Sequence, residues 1–273
     1  MPELPEVEVT RLGVKPHVEG KKVSEVVLRR EGLRWPFPVN LSELILHQTI
    51  LATGRRGKYL LLHFGHGSLL IHLGMSGNLR IMPSKTAPQK HDHMDILLGE
   101  QMLRLTDPRR FGAVLWHDNA DGSLEEHLLL RRLGVEPLTD KFTAQLLFQQ
   151  TRQRNAAVKQ VLLAGDVVVG VGNIYASESL FRAGINPKTA ANRISLKRYQ
   201  ALTIAIREIL AQAIVQGGST LKDFVGADGK TGYFQQSYFV YDRAGEPCRV
   251  CQGTIRHITQ GQRSSFYCVN CQK

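Results

Sequence analysis

The sequence has no cysteine before position 248 and no apolar run near the roughly 18 residues that a membrane-spanning helix needs. It also lacks the basic start and apolar core of a signal peptide. We therefore expect a cytoplasmic protein with no membrane partner. All four cysteines lie between Cys248 and Cys271 as two pairs. That grouping argues against a disulfide scaffold and favours a metal site.

Acidic residues are scarce relative to basic ones. The 273 residues include 24 Asp and Glu against 35 Lys and Arg, which gives a formal net charge of +11 and a pI of about 9.7. Such an excess favours a polyanion partner, because Lys and Arg that contact phosphates release condensed counterions. A basic protein without such a partner is the alternative that charge alone leaves open. The length allows about two domains, each with its own core.

The first six residues fit the start of a helix. Pro5 suits a first helical turn because its missing N–H would be unpaired there, and Glu3 and Glu6 favour the positive end of the helix dipole. A second interpretation begins with removal of Met1, which is usual when the next residue is as small as proline. Removal leaves Pro2 carrying a free amine.

That amine has chemistry of its own. A free α-amine has a pKa of roughly 7.7–8.0, so a neutral, nucleophilic fraction exists near neutral pH. Because Pro2 is a secondary amine, its adduct with a sugar C1′ is an iminium that keeps its charge and favours elimination. Glu3 adjoins the amine and suits a general acid on the sugar ring oxygen, and then a base, if its surroundings raise its pKa.

Short runs rich in Val, Ile and Leu fill the next hundred residues, separated by Gly, Pro and Asn. Strands at near-regular spacing indicate a β-sandwich or barrel. An amphipathic helix over residues 6–17 precedes them, with Val7, Val14 and Val18 on one face. The predicted strands are 22–30, 45–52, 58–64, 68–73, 79–82, 93–98, 102–105 and 113–117.

Three loops of this region carry residues suited to nucleic acid. Arg55-Arg56-Gly57-Lys58 places three cations around a glycine, as a phosphate grip or as a solvated turn. Met75 stands between two glycines, where it either wedges into a base stack or fills the core. Arg109 and Phe111 put a cation beside an aromatic ring on one turn. That pair suits an enzyme that acts on an extrahelical base.

The motif Lys90-His91-Asp92-His93 looks like a set of metal ligands. On a regular strand, however, the two histidines would point one way and the aspartate the other. We therefore interpret His91 as a hydrogen-bond donor to phosphate and His93 as structural.

From about residue 134 the pattern becomes helical, which predicts a domain boundary. A glycine-rich turn, Gly170-Val171-Gly172, enters a helix that runs to about residue 183, and Asn173 either caps that helix or contacts a phosphate. A simple packing turn is the alternative. A loop over 225–234 is either a lid or ordinary surface. The other predicted helices are 142–152, 156–163 and 195–216.

The cysteine spacing is the most specific signal. Cys248-x-x-Cys251 and Cys268-x-x-Cys271 can together bind one tetrahedral zinc ion at the end of a hairpin. Four thiolates leave no open position for water, so this zinc ribbon is expected to be structural. Arg263 lies near the predicted hairpin tip, within reach of a phosphate.

Together these motifs resemble those of bacterial formamidopyrimidine-DNA glycosylases, which excise 8-oxoguanine and ring-opened purines. The resemblance covers essentially the whole chain. Its landmarks are Pro2-Glu3-Leu4-Pro5-Glu6, Arg56-Gly57-Lys58, His72-Leu73-Gly74-Met75, Lys90-His91-Asp92-His93, Asp107-Pro108-Arg109-Arg110-Phe111-Gly112, Val169-Gly170-Val171-Gly172-Asn173-Ile174-Tyr175, Gly217-Gly218-Ser219-Thr220 and the cysteine tetrad.

The resemblance implies an α+β multidomain fold. Residues 1–133 would form an N-terminal β-sandwich domain led by a catalytic helix. Residues 134–235 would form a helix-two-turn-helix domain, and residues 236–273 a zinc ribbon. It further implies one structural Zn²⁺, double-stranded DNA as the partner, and a monomer that associates with the bacterial nucleoid through DNA.

It also implies the chemistry of a bifunctional DNA glycosylase and AP lyase. Pro2 would be the nucleophile, Glu3 the acid and base, and Lys58 a catalytic contact to the phosphate beside the lesion. The damaged base would leave, and β- and δ-elimination would follow from the iminium. Arg263 would hold a phosphate and donate the proton for δ-elimination.

The remaining roles come from the same resemblance. Met75, Arg109 and Phe111 would fill the gap left by the everted nucleotide and address the orphaned cytosine. The other DNA-binding residues would be His91 and Asn173, which hold phosphates, and Lys159, close to the site, while the loop around Tyr233 would cap the damaged base.

Two positions depart from the family pattern, and two alternative functions stay open. Ala164-Gly165 replaces a more polar pair, and Asp242 stands where the family usually has glycine; both bear on local turn geometry. The endonuclease VIII type, which removes oxidised pyrimidines, shares Pro2 and Glu3, although Leu4 and residues 217–234 favour the purine enzyme. A zinc-ribbon protein that binds DNA without catalysis is the second alternative.

Overall fold

The computed structural model describes residues 2–218 and 238–273. These residues divide into two compact units, 2–131 with 216–218, and 132–215 with 238–273. The predicted capping residue Tyr233, the loop around it and Met1 lie outside the described residues. The domain boundaries expected after residues 133 and 235 stay a prediction.

The first unit starts with a helix and continues as two antiparallel sheets. Its elements are α1 (Leu4–Val18), β1 (Glu25–Leu28), α2 (Leu41–Ile45), β2 (Ala52–Arg56), β3 (Tyr59–His63), β4 (Gly67–His72), β5 (Asn78–Pro83), β6 (Asp92–Leu98), β7 (Gln101–Thr106) and β8 (Ala113–Asp118). Within residues 2–131, one four-stranded sheet has the order β1-β6-β7-β5 and the other β2-β3-β4-β8. This arrangement confirms the predicted sandwich.

One apolar core joins both sheets to α1. Val7, Val14 and Val18 of α1 are fully buried, which confirms the predicted helix face. They pack with side chains from the inner faces of both sheets, namely Leu60, Leu62, Leu69, Ile71, Met94, Ile96, Leu103 and Leu105. The core therefore fixes α1, and with it the start of the chain, against the sandwich.

The strand predicted over residues 45–52 is wrong. A short helix, α2, ends at Ile45, and the strand begins only at Ala52. Between them His47 adopts a left-handed conformation with φ of 61°, which interrupts any regular strand. Ile45 and Ile50 are buried from this irregular segment. A short apolar run does not reveal by its periodicity whether it forms a strand or a turn.

The second unit is helical and ends in a two-stranded hairpin. Its elements are α3 (Ala144–Thr151), α4 (Val158–Ala164), α5 (Asn173–Arg182), α6 (Leu196–Val215), β9 (Ile255–Gln260) and β10 (Arg263–Cys268). On α6, the predicted apolar face is buried at Leu202, Ile206, Leu210 and Ala213. No helix among the described residues combines the length and apolar character needed to span a membrane.

Candidate active site

Pro2 and Glu3 are held at the first turn of α1. The backbone N–H of Glu3 donates to the carboxylate of Glu6 at 2.9 Å, and the Glu3 carboxylate accepts from the backbone of Glu6, so the two residues form a capping box. Pro2 is buried and Glu3 is only 2% exposed. The carboxylate of Glu3 is thereby fixed at the first turn of α1, on the residue that directly follows Pro2.

Lys58 lies in the two-residue turn that joins β2 to β3. Gly57 has a φ of 58°, which glycine adopts without strain. The neighbouring Arg55 is not a solvated cation of a surface turn. Its Nε donates to Glu8 of α1 at 3.0 Å, and its Nη1 donates to the Gly57 carbonyl at 2.9 Å. Arg55 therefore braces the turn, and Lys58 projects from a fixed backbone.

Glu8 is the matching anion on α1. Burial raises the pKa of its carboxyl, but hydrogen bonds and charge from Arg11 and Arg55 together bring that pKa below its usual value. Glu8 therefore stays ionised near neutral pH and holds the turn against the helix that carries Pro2.

His72 is a site residue to which we assigned no role from sequence. Its ring packs on Tyr59 with centroids 4.9 Å apart, and its Nδ1 accepts the N–H of Gly74 at 3.0 Å. Burial lowers the pKa of His72 to about 4, and the positive charges of Lys58 and Arg34 add to this effect. The ring is therefore neutral at physiological pH, with its proton on Nε2 as a hydrogen-bond donor.

The depressed pKa of His72 predicts an acid-dependent loss of stability. A histidine titrates near 6.5 in the unfolded chain and near 4 in the folded chain, so the unfolded state binds more protons as the pH falls between these values. We expect His72 to account for a loss of about 2 kcal/mol in the free energy of unfolding between pH 7.5 and pH 5.

Urea unfolding of the wild type and His72→Gln at both pH values measures this contribution. Glutamine still accepts the N–H of Gly74 but does not titrate. The free energy of unfolding of His72→Gln should therefore depend less steeply on pH than that of the wild type. His63→Gln controls for a second histidine whose pKa burial also lowers. Parallel pH profiles for the wild type and His72→Gln would contradict the assignment.

The two predicted wedge loops leave the same edge of one sheet. Residue His72 at the end of β4 pairs with Ala113 at the start of β8. Phe111 is 47% exposed, and the Arg109 guanidinium lies 5.0 Å from its ring centroid. Met75 is half-buried. The structure thus brings these three predicted residues onto adjacent loops.

His91 and His93 have different surroundings, although they do not follow regular alternation. A β-bulge between Asp92 and Met94 shifts the register of β6 against β7, so Asp92 and His93 are both buried. The expectation that the aspartate and the histidines face opposite ways is therefore wrong. His93 donates from Nε2 to the carbonyl of Asp107 at 2.9 Å, a structural contact, whereas His91 is half-buried.

In the second unit, Asn173 begins α5 after the predicted glycine-rich turn. Within residues 2–218 and 238–273 its side-chain Oδ1 is buried without a hydrogen-bond partner. Such an acceptor is unusual in a folded protein, but a phosphate contact would need the Nδ2 group of Asn173 as the donor. A contact between Asn173 and phosphate stays a prediction.

Lys159 is not on the surface. It is fully buried, and its Nζ donates to the Ser264 carbonyl at 2.7 Å and to the Ser265 hydroxyl at 2.8 Å. Its ammonium therefore anchors β10 instead of presenting a free charge, which sequence alone did not reveal. Direct binding of DNA by Lys159 stays a prediction. Arg263, by contrast, is exposed at the first position after the hairpin turn.

The four cysteines form the predicted metal site. Their sulfur atoms all lie within 4.8 Å of one another. Backbone N–H groups of Val250 and Gly253 donate to the sulfurs of Cys248 and Cys251 at 3.5 and 3.4 Å. These donors favour thiolates, and four thiolates at this spacing fit one tetrahedral zinc ion. The cluster therefore binds one structural zinc.

Glu178 is a second residue that sequence reasoning missed. It lies on α5, is 4% exposed, and accepts the backbone N–H groups of Phe239, Val240 and Tyr241 at 2.8–3.0 Å. A buried carboxylate with three donors fixes the chain that leads to the zinc ribbon. Asp242 follows with a φ of 59°, which explains why glycine suits that position.

The chemistry of these parts defines a class. A proline at the start of α1, followed by a buried carboxylate, would supply an amine suited to covalent attack on a sugar carbon once Met1 is removed. Exposed apolar and cationic side chains on paired loops suit the gap that an everted nucleotide leaves. A zinc-containing protein that combines both features is a DNA glycosylase that also cleaves the DNA backbone.

Comparison with known proteins gives the particular family. Residues 1–114 match the formamidopyrimidine-DNA glycosylase N-terminal domain, residues 133–225 its H2TH domain, and residues 245–273 the zinc finger found in FPG and IleRS. The chain is 69% identical to the formamidopyrimidine-DNA glycosylase of Herminiimonas arsenicoxydans and 58% identical to that of Burkholderia thailandensis, with 100% of each chain covered. The chain belongs to the formamidopyrimidine-DNA glycosylase family.

Solved structures agree with this assignment. A Lactococcus lactis FPG variant, determined in complex with DNA containing Fapy-dG, superposes with a TM-score of 0.93 at 30% identity over 100% of both chains. The MutM (FPG) protein of Thermus thermophilus gives 0.89 at 36% identity, over 99% of this chain and 98% of that one. The protein is thus a DNA glycosylase/AP lyase of base-excision repair that acts on oxidised purines.

Proposed function

We propose that the reaction proceeds through a covalent bond between Pro2 and the sugar of the damaged nucleotide. With Met1 removed, the Pro2 nitrogen attacks C1′, the C1′–base bond breaks, and the base departs with a proton. The C1′–O4′ bond then breaks as the ring oxygen takes a proton, which gives the iminium; loss of a C2′ proton from this iminium expels the 3′ phosphate in β-elimination. A second elimination releases the 5′ phosphate and leaves a one-nucleoside gap.

One observation supports this mechanism above the others: the capping box that buries Glu3 beside Pro2. The carboxylate is positioned by the backbone of the same helical turn that carries the amine. In its acid form Glu3 protonates the sugar ring oxygen and so favours opening of the ring. In its base form it accepts a proton during elimination. Both roles need only one carboxylate next to the nucleophile.

The remaining site residues act on the DNA. Lys58 and His91 contact phosphates, with Lys58 next to the lesion, and the neutral His72 donates a hydrogen bond from Nε2. Arg109 addresses the orphaned cytosine while Met75 and Phe111 fill the gap. This assignment draws on the fixed Lys58 turn, the protonation state of His72 and the adjacent wedge loops.

Residues of the second unit complete the proposal. Asn173 holds a phosphate at the start of α5, and Arg263 holds another from the exposed hairpin turn and donates the proton for δ-elimination. Tyr233 caps the damaged base. We expect the protein to act as a monomer on double-stranded DNA in the bacterial cytoplasm, associated with the nucleoid through that DNA.

Replacing Glu3 by Gln tests the acid-base role. Glutamine preserves the size of the side chain but neither donates nor accepts the catalytic proton. We therefore expect excision of 8-oxoguanine under single-turnover conditions to fall by roughly 100- to 10,000-fold. Binding to a duplex with a non-cleavable abasic analogue should change by less than about threefold, because the capping geometry tolerates Gln.

The control and the substrate comparison use the same assay. Glu43→Gln, an exposed carboxylate on α2, should excise at the wild-type rate. Wild-type protein should cleave an 8-oxoguanine duplex faster than a matched thymine glycol duplex; the opposite order would indicate the pyrimidine-specific sibling. Full excision by Glu3→Gln would show that another group handles the proton.

A further inference from the structure

Asp107 is a fully buried carboxylate that joins the two wedge loops. One of its oxygens accepts the hydroxyl of Ser76 at 2.8 Å, and the other accepts the N–H of Gly112 at 2.8 Å. Ser76 directly follows Met75, and Gly112 directly follows Phe111. A single side chain therefore ties the Met75 loop to the loop of Arg109 and Phe111.

The restraint extends to Arg109 through Ser76. Because the Ser76 hydroxyl gives its proton to Asp107, its lone pairs face other donors, and the N–H of Arg109 donates to it at 3.1 Å. The chain of hydrogen bonds runs from the carboxylate to the backbone of the residue proposed to read the orphaned base.

The backbone of Asp107 adds a link to the His91 segment. Its N–H donates to the carbonyl of His91 at 3.0 Å, and its own carbonyl accepts from Nε2 of His93 at 2.9 Å. Apart from the Lys58 turn, three segments of the first unit carry proposed DNA-binding residues. Asp107 contacts all three. No other role in the proposed chemistry uses this carboxylate.

The two wedge loops also touch backbone to backbone. A Cβ placed on Gly74 would lie 2.4 Å from the carbonyl carbon of Phe111 and 2.5 Å from the nitrogen of Gly112. Such contact leaves no room for a side chain between the loops, so close backbone packing and the hydrogen bonds to Asp107 together set their relative position. Buried, fully hydrogen-bonded carboxylates of this kind hold loops more rigidly than apolar contacts do.

We propose that Asp107 is a positioning residue for eversion of the damaged nucleotide. It sets the separation and direction of Met75, Arg109 and Phe111, so that the three side chains enter the duplex as one rigid wedge. The proposal rests on the proposed function of those three residues. Groups that must match a bound geometry have to be held within about 0.5 Å, and a supporting carboxylate is a direct way to do so.

Asp107→Asn tests the proposal with little change in volume. Both neighbours of the carboxylate donate to it, so the new NH₂ group either faces the N–H of Gly112 or makes the Ser76 hydroxyl turn and accept; the original pair of hydrogen bonds is lost in both cases. We expect single-turnover excision of 8-oxoguanine opposite cytosine to fall by roughly 10- to 100-fold, because a small displacement of groups that position the substrate slows the reaction by that amount. Strand cleavage at a preformed abasic site, which has no base to evert, should change by less than about threefold.

A purely structural role of Asp107 would not change how the enzyme discriminates between bases opposite the lesion. This discrimination is therefore the informative measurement. Because Asp107 restrains Arg109 through Ser76, the ratio of the excision rates with cytosine and with adenine opposite the lesion, which Arg109 is proposed to set, should move towards one in Asp107→Asn. Ser76→Ala, which removes the bridging hydroxyl and keeps the carboxylate, should show the same pattern with a smaller effect. This second variant serves if Asp107→Asn folds poorly.

Asp95→Asn is the matched control. Asp95 is 2% exposed and bonded to Arg104 and Arg29, so it is an equally buried carboxylate of the same unit. Its loss should leave unchanged the opposite-base preference and the ratio of the rates on the 8-oxoguanine duplex and the preformed abasic site. If Asp107→Asn lowers activity on all substrates equally, or leaves the preference intact, Asp107 only stabilises the fold and the proposal is overturned.

Phe111→Ala separates failure of this proposal from failure of the proposed function. Impaired excision in Phe111→Ala together with normal excision in Asp107→Asn would reject the positioning role alone. Normal excision in Phe111→Ala would reject the wedge function on which that role rests.

Discussion

Protein that keeps a residue in front of Pro2 is expected to lose excision of 8-oxoguanine by roughly 1000-fold or more. An inserted lysine after Met1 produces such a chain, because removal of the initiator requires a small second residue. The extra peptide bond turns the Pro2 nitrogen into an amide, whose lone pair is delocalised and no longer nucleophilic. Single-turnover excision measures the effect.

The control for this extension is the chain without the inserted lysine. Unextended protein treated with methionine aminopeptidase, and shown by intact mass to lack Met1, should be fully active. Binding of both forms to an abasic-analogue duplex should agree within about threefold, since the DNA-contact residues are unchanged. Full excision by the extended chain would remove Pro2 from the mechanism.

Loss of zinc has the second largest expected effect. Cys251→Ser, or removal of the metal by a chelator, should unfold the β9–β10 hairpin and lower DNA affinity by at least roughly 100-fold, because a structural zinc contributes on the order of 10–16 kcal/mol to folding. Without the metal no bond links the two cysteine pairs, so the cluster is not held together.

Metal content, hydrogen exchange and DNA affinity measure the zinc prediction. Wild-type protein should contain one zinc per chain, and exchange in Cys251→Ser should rise over 248–271 while the core strands of the sandwich stay protected. His257→Asn, which changes an exposed side chain of β9 outside the thiol cluster, should keep its zinc. Unchanged DNA affinity in metal-free protein would show that the ribbon is dispensable.

Long periodic patterns and fixed spacings made much of the fold predictable. The α1 face, the α6 face and the cysteine pairs each repeat a signal several times, so tertiary context did not override it. The segment after Ile45 lacked such repetition, and the left-handed conformation of His47 prevents a regular strand there. The bulge near Asp92 was equally invisible, because one inserted residue changes side-chain direction without changing composition.

The metal site was predictable because the spacing of the cysteine pairs is specific to zinc binding, whereas the role of Pro2 stays a prediction. The surroundings of a residue were not predictable where its charge is satisfied by contacts distant in sequence. Lys159 bonds to residues more than a hundred positions away, and Glu178 accepts donors about sixty positions away. Sequence shows the charge of such a residue but not the partner that buries it. Asp107 is an intermediate case, because Ser76 lies 31 positions away but Gly112 only five.

Borohydride trapping followed by peptide mapping tests the central claim most directly. Reduction of the enzyme during reaction with an 8-oxoguanine duplex should fix the sugar to the protein, and mass spectrometry should locate the remnant on the nitrogen of Pro2 in the N-terminal peptide. A remnant on Lys58, or on any other lysine, with unmodified Pro2 in the trapped protein would contradict the account.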